Sequence, residues 1–84
     1  MRDFNIEIIS PEKSVFTGRT RSVLLPAENG ELGIMKDHAP ILCSLKRGTV
    51  LVDTPEGEKP FEVTGGFAEF NGKNLTLLIR QERG

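Results

Sequence analysis

Apolar residues along this chain recur at every second position. Phe4, Ile6 and Ile8 alternate with Asn5 and Glu7, and Val23 and Leu25 alternate with Ser22. Phe61 and Val63 bracket Glu62. Leu75, Leu77 and Ile79 share one face, with Thr76 and Arg80 on the other. A period of two marks half-buried strands, because successive side chains of an extended chain point to opposite faces. Glycine and proline interrupt the sequence so often that few uninterrupted stretches exceed ten residues. An average helix needs about eleven or twelve. The pattern predicts nine strands, near 3–9, 14–17, 20–26, 31–34, 41–46, 49–53, 59–64, 67–70 and 75–80. Turn chemistry separates them: Ser10-Pro11, Asn29-Gly30, Arg47-Gly48, Pro55-Glu56-Gly57 and Asn71-Gly72-Lys73-Asn74. The stretch from Leu75 to Arg83 lacks both breakers and has room for a helix, but Leu75-Thr-Leu-Leu-Ile reads better as a strand. Many short strands at regular spacing indicate an all-β antiparallel sandwich or barrel.

Eighty-four residues make one domain, expected to span 1–84. A chain of this size buries only about 60–65% of its unfolded surface, so the core is modest. Five phenylalanines supply all the aromatic bulk. The single cysteine, Cys43, excludes an internal disulfide. The net charge of −1 and a pI near 5.8 argue against a phosphate-backbone footprint. No apolar run approaches the roughly 20 residues of a membrane-spanning helix. The N-terminus lacks the apolar stretch of a signal peptide.

Candidate chemistry is sparse. His38 is the lone histidine, and Asp37 beside it in an extended chain points the wrong way to orient it. A dyad of His38 with Cys43 is one enzymatic reading. The other is that His38 fixes its loop or faces a partner while Cys43 packs as a small apolar residue. One histidine and one cysteine are too few for a metal site unless carboxylates converge on them. Glu28 and Glu31 flank a turn, where exposure suits them better than acid–base work. Gly65-Gly66 lacks the Lys-Ser or Lys-Thr that a phosphate loop needs, so a tight bend or close backbone approach is expected there. Arg19 and Arg21 make too small a basic patch for nucleic acid. An oligonucleotide-binding β-barrel would require a basic groove with exposed aromatics. Ile41-Leu42-Cys43 follows a constrained corner with little polar relief. In a strand, either Ile41 and Cys43 or Leu42 must face outward, which makes a docking site as plausible as plain core packing.

Three motifs, in order, carry a resemblance: Gly30-Glu-Leu-Gly33, His38-Ala-Pro40 and Gly65-Gly-Phe67. Together they resemble the N-terminal β-sandwich domain of the epsilon subunit of F-type ATP synthases. The likeness runs from Ile8-Ile9-Ser10-Pro11 to Leu75-Thr-Leu-Leu78. It implies a flattened antiparallel sandwich of two packed sheets with about nine or ten short strands. It also implies a non-catalytic central-stalk subunit that couples proton flow to ATP synthesis, with no cofactor and no metal. Its expected partners are the gamma shaft and the c-subunit rotor ring. Membrane contact would come only through the complex, at the cytoplasmic face of a bacterial membrane or its equivalent. By resemblance, Ser10, His38, Ala39, Pro40, Leu42 and Cys43 match the gamma-facing side. Glu28, Asn29, Gly30 and Glu31 match the loop that meets the ring, and Gly33, Gly65 and Gly66 are expected at structural turns. This chain has Lys36-Asp37 where the family often carries Pro-Gly, and Asp tolerates the same left-handed turn better than most residues. The usual subunit continues into a C-terminal helical hairpin that restrains ATP hydrolysis. The 84 residues contain no counterpart, so neither an inhibitory arm nor an ATP site is expected of them.

Overall fold

Alternating burial organises the whole chain. In β1 (Phe4–Ile9) the even residues are buried and Asn5 and Glu7 are exposed. β9 (Asn74–Arg80) repeats the rhythm with Leu75, Leu77 and Ile79 inward. A computed structural model describes residues 3–82. The other strands are β2 (Ser14–Thr20), β3 (Ser22–Ala27), β4 (Gly30–Met35), β5 (Ile41–Leu45), β6 (Gly48–Thr54), β7 (Gly57–Val63) and β8 (Gly65–Phe70). No helix forms among the described residues.

The hydrogen-bonded order is β2-β1-β9-β8-β5-β3-β6-β7, with β4 on the other edge of β3. The ladder curls on itself, so β2-β1-β9-β8-β5 forms one layer and β4-β3-β6-β7 the other. Among the described residues, Ala27–Leu45 is the single registered pair between β3 and β5. β5 and β6 are antiparallel to the same strand, β3, and the chain bends between them to pass from layer to layer. Lys46 N–H donates to the Pro26 carbonyl at this corner (2.9 Å). Gly48 is needed there, because a Cβ would lie 2.7 Å from Pro26 Cβ. The free ends of the ladder meet through side chains: the Phe16 and Phe61 rings are 5.3 Å apart, with Lys59 Nζ 5.4 Å from the Phe16 centroid.

The inward residues of both layers form one apolar core. Phe4 and Phe70 meet edge to face at 5.2 Å within it. The expected all-β two-layer body is present, as a single continuous ladder. One pairing departs from the antiparallel expectation: β1 and β9 run parallel. β2 also outruns its predicted end at residue 17. Gly18 interrupts the sequence pattern, yet the ladder to β1 continues through it, with Gly18 opposite Ile6.

Thr20 ends β2 at the second crossing between layers and is 3% exposed. Its hydroxyl lies 2.7 Å from the Asp53 carbonyl and 2.9 Å from the Ser22 carbonyl, and it accepts from Ser22 N–H (3.2 Å). Thr20→Val keeps the shape and removes this tie. Thermal unfolding should register a loss of about 1–3 kcal/mol. An unchanged midpoint would remove Thr20 from the devices that hold the layers together.

Candidate partner-docking surface

The outer face of the β5-β8-β9-β1 layer departs from the polar-out rule. Four large apolar side chains among the described residues are strongly exposed: Met35, Leu42, Phe67 and Leu78. Three of them share this face. Phe67 is directly opposite Leu78, and Leu78 is beside Ile9 of β1, which is half-buried. Leu42, 72% exposed, sits diagonally from Phe67 on β5. The result is a short apolar stripe running across the strands. Apolar side chains grouped in this way on a small domain make the stripe a candidate contact surface.

β5 resolves the parity left open by its sequence. Leu42 points out, while Ile41 and Cys43 pack against the core. Burial pushes the Cys43 thiol above its ordinary pKa, which makes it a poorer nucleophile at neutral pH. His38 closes the turn after β4, its N–H donating to the Met35 carbonyl (2.9 Å). Its Nδ1 is 2.6 Å from the Ala39 carbonyl, which only accepts, so Nδ1 carries the proton in this arrangement. The ring sits 6.4 Å from Phe70. A dyad needs the histidine to serve the thiol. Here His38 is bound to its own loop and Cys43 is turned inward.

Ala39 and Pro40 are exposed at the same corner. Ser10 lies at the far end of the layer, after Ile9. It is 8% exposed and tied into a turn by Ser10 N–H to the Lys13 carbonyl (2.9 Å). Ser10 and His38 are therefore not neighbours. They stand near opposite ends of the layer, and the Leu42–Phe67–Leu78 stripe lies between them.

Glu28 and Asn29 form the tip of the β3–β4 hairpin, with Gly30 at φ +126° opposite Ala27. Glu28, Asn29 and Glu31 are exposed. Glu28 N–H donates to the Ser44 carbonyl (3.1 Å), which seats the tip beside β5. Gly33 differs from the turn expected of it. It lies inside β4 opposite Leu24, with its φ outside the left-handed region and open space where a Cβ would go. Gly65 and Gly66 open β8, where Gly66 has φ +142°. No group of three or more His, Cys, Asp or Glu among the described residues is placed to hold a metal ion.

The sequence motifs do not single out Phe67 and Leu78 as exposed, although the parity of each strand carries a signal for them. Leu77-Leu78-Ile79 breaks the alternation, and a strand with Leu77 and Ile79 inward must expose Leu78. With Ala68 and Phe70 inward, the same parity exposes Phe67.

Residues 3–82 match the family described as ATP synthase, Delta/Epsilon chain, beta-sandwich domain. The chain belongs to that family. It is 40% identical over 78 residues to an ATP synthase epsilon chain of Bartonella henselae, covering 93% of this chain and 56% of the relative. It is 38% identical over 76 residues to the chloroplastic ATP synthase epsilon chain of Tetradesmus obliquus, covering 90% and 56%. The chain thus spans little more than half the length of these relatives. Its fold also matches a chain in the Euglena gracilis mitochondrial ATP synthase OSCP/F1/c-ring structure, with a TM-score of 0.86 at 16% identity, covering 94% of this chain and 51% of that one. A chain of the Tetrahymena thermophila mitochondrial ATP synthase central stalk/c-ring structure matches with a TM-score of 0.75 at 13% identity, covering 93% and 63%.

Proposed function

We propose that this domain serves as the rigid adaptor of an ATP synthase central stalk, gripping the gamma shaft on one face and meeting the c-subunit ring at one tip. The exposed apolar stripe on a hydrogen-bonded sheet carries this reading. A contact that transmits torque should deform little, and a cross-bonded sheet opens less readily than a loop. Leu42, with His38, Ala39 and Pro40 at its corner and Ser10 at the far end of the layer, belongs to the gamma-facing side, and Cys43 supports Leu42 from behind. The Glu28–Glu31 tip faces the ring. The domain performs no bond-making of its own and couples proton flow to ATP synthesis made elsewhere in the complex. It is held at an energy-transducing membrane through that complex. For a bacterial host, as with the Bartonella relative, this is the cytoplasmic face.

The tip assignment is tested by Glu31→Lys. Exposed rim charges orient partners more than they add affinity. The variant should reduce ATP-driven proton pumping in reconstituted vesicles and change gamma affinity by no more than about fivefold, since single exposed ion pairs contribute only about 0–1 kcal/mol. Unchanged pumping would remove Glu31 from the ring contact.

A further inference from the structure

Two asparagines of this chain are followed by glycine, in Asn29-Gly30 and Asn71-Gly72, and the fold treats their side chains differently. The backbone nitrogen of the next residue can attack an asparagine side chain, and glycine, with no Cβ, hinders that approach least. At Asn71 the fold opposes it. Asn71 Oδ1 accepts from Lys73 N–H (2.9 Å) and Asn74 N–H (2.8 Å), and Asn71 N–H donates to the Asn74 carbonyl (3.2 Å). Asn5 and Asn74 are followed by Ile6 and Leu75, and both are tied. Asn5 Nδ2 donates to Asn74 Oδ1 (2.8 Å), and Asn5 Oδ1 accepts from Arg19 (2.8 Å). Asn29 is the exception among the described residues. It is exposed at the tip of the β3–β4 hairpin, and its side-chain amide makes no hydrogen bond to any of them. The space where a Cβ on Gly30 would stand is open.

We infer that Asn29 is a site of spontaneous covalent modification, at which the Gly30 backbone nitrogen closes on the Asn29 side chain. That nitrogen sheds its proton and bonds to Asn29 Cγ. The Cγ–Nδ2 bond breaks, and Nδ2 leaves as ammonia. Water then opens the five-membered imide. Opening at one carbonyl gives aspartate, and at the other isoaspartate, whose main chain runs through the former side chain. The sum is asparagine and water to acid and ammonia, with no oxidant or reductant. Gly30 pairs with Ala27 at the last rung of the β3–β4 ladder, so closure needs only that rung to open. Terminal rungs open far more readily than core strands. At Asn71, closure must first break two hydrogen bonds to its side chain, a handicap of about tenfold or more. The product matters because of where it forms. A third carboxylate appears at a tip that already exposes Glu28 and Glu31. Isoaspartate also lengthens a two-residue loop by one main-chain carbon. That works against the 3.1 Å bond from Glu28 N–H to the Ser44 carbonyl, which seats the tip. The chemistry belongs to the turn itself and stands apart from the central-stalk reading.

The test keeps the folded chain in warm, mildly alkaline buffer for days and then cuts it with trypsin. Cleavage after Lys and Arg releases Asn29 on peptide 22–36 and Asn71 on peptide 48–73. Mass spectrometry should find a gain of about 1 Da on 22–36, growing at least about tenfold faster than on 48–73. Part of the product should accept a methyl group from an isoaspartyl methyltransferase. Mildly acidic buffer should slow the reaction, because the attacking nitrogen must give up its proton. In urea both amides are free, and the two rates should converge. Asn29→Gln should remove the gain on 22–36, since glutamine would have to close a six-membered ring. Equal rates at Asn29 and Asn71 in the folded chain would overturn the inference. So would a 22–36 peptide that stays intact while the unfolded chain reacts. A rate difference that persisted in urea would overturn it too, since the fold would then not make the choice.

Discussion

Gly66→Ala is expected to unfold the domain or leave it barely folded. Gly66 sits between two partner strands, opposite Leu45 of β5 and Ile79 of β9. Its φ of +142° is one that residues with a Cβ rarely adopt. A Cβ built there would lie 2.1 Å from the Leu78 carbonyl oxygen and 2.9 Å from Ile79 Cα. Both obstacles are backbone of a central strand, so neither can swing aside without breaking the β8–β9 ladder. Strained backbone and overpacking each cost about 1–3 kcal/mol, and here they act together. A domain of this length has a total stability of only about 4–13 kcal/mol. Urea unfolding should therefore show a loss of about 3–5 kcal/mol, or no folded baseline at all. Gly65→Ala is the matched control. Its Cβ meets only the far end of the Arg80 side chain, at 2.7 Å, and that guanidinium can move away. Equal losses at the two positions would contradict this account of the Gly-Gly pair.

Leu42→Asp is expected to abolish partner binding and spare the fold. The side chain is 72% exposed, so the substitution removes little from the core. Exposed substitutions of this kind usually alter stability by less than about 0.5 kcal/mol. In a complex the same position would be covered, and a carboxylate buried there without a partner is costly. A loss of about 2–4 kcal/mol in gamma affinity follows, which is roughly 30-fold to 1000-fold. His38→Asp should act in the same direction, and it also removes the imidazole contact to the Ala39 carbonyl at that corner. The decisive comparison is thermal stability against affinity in the same variant. If Leu42→Asp lowered both in parallel, its side chain would belong to the fold and not to a docking face.

Period-two patterning was enough to place nine strands, because each strand has one wet and one buried face. The close recurrence of glycine and proline left helices little room, except in the stretch from Leu75 to Arg83. Pairing was less legible. Nothing in Phe4–Ile9 or Asn74–Arg80 says that the first and last strands lie side by side in parallel; that choice comes from closure of the whole ladder. The glycines show the same limit. Gly66 and Gly33 look equally special in sequence, yet only Gly66 has a strand backbone pressed against its missing Cβ. Gly33 lies against open space in an ordinary strand. The candidate site was half legible. The His38-Ala-Pro40 corner and the Leu42 strand stood out because a constrained backbone leads into unrelieved apolar residues. Phe67 and Leu78 did not, because each looked like core until the inward parity of its neighbours was known. Cys43, expected on the gamma-facing side by resemblance, is partly buried and packs against the core.

The central claim is that a stiff β body binds the gamma shaft through an apolar face it holds ready-made. Calorimetric titration of the chain with the gamma subunit at several temperatures tests this most directly. The account predicts one-to-one association with a clearly negative heat-capacity change, the mark of apolar surface leaving water. Absence of association, or association with no heat-capacity change, would contradict it.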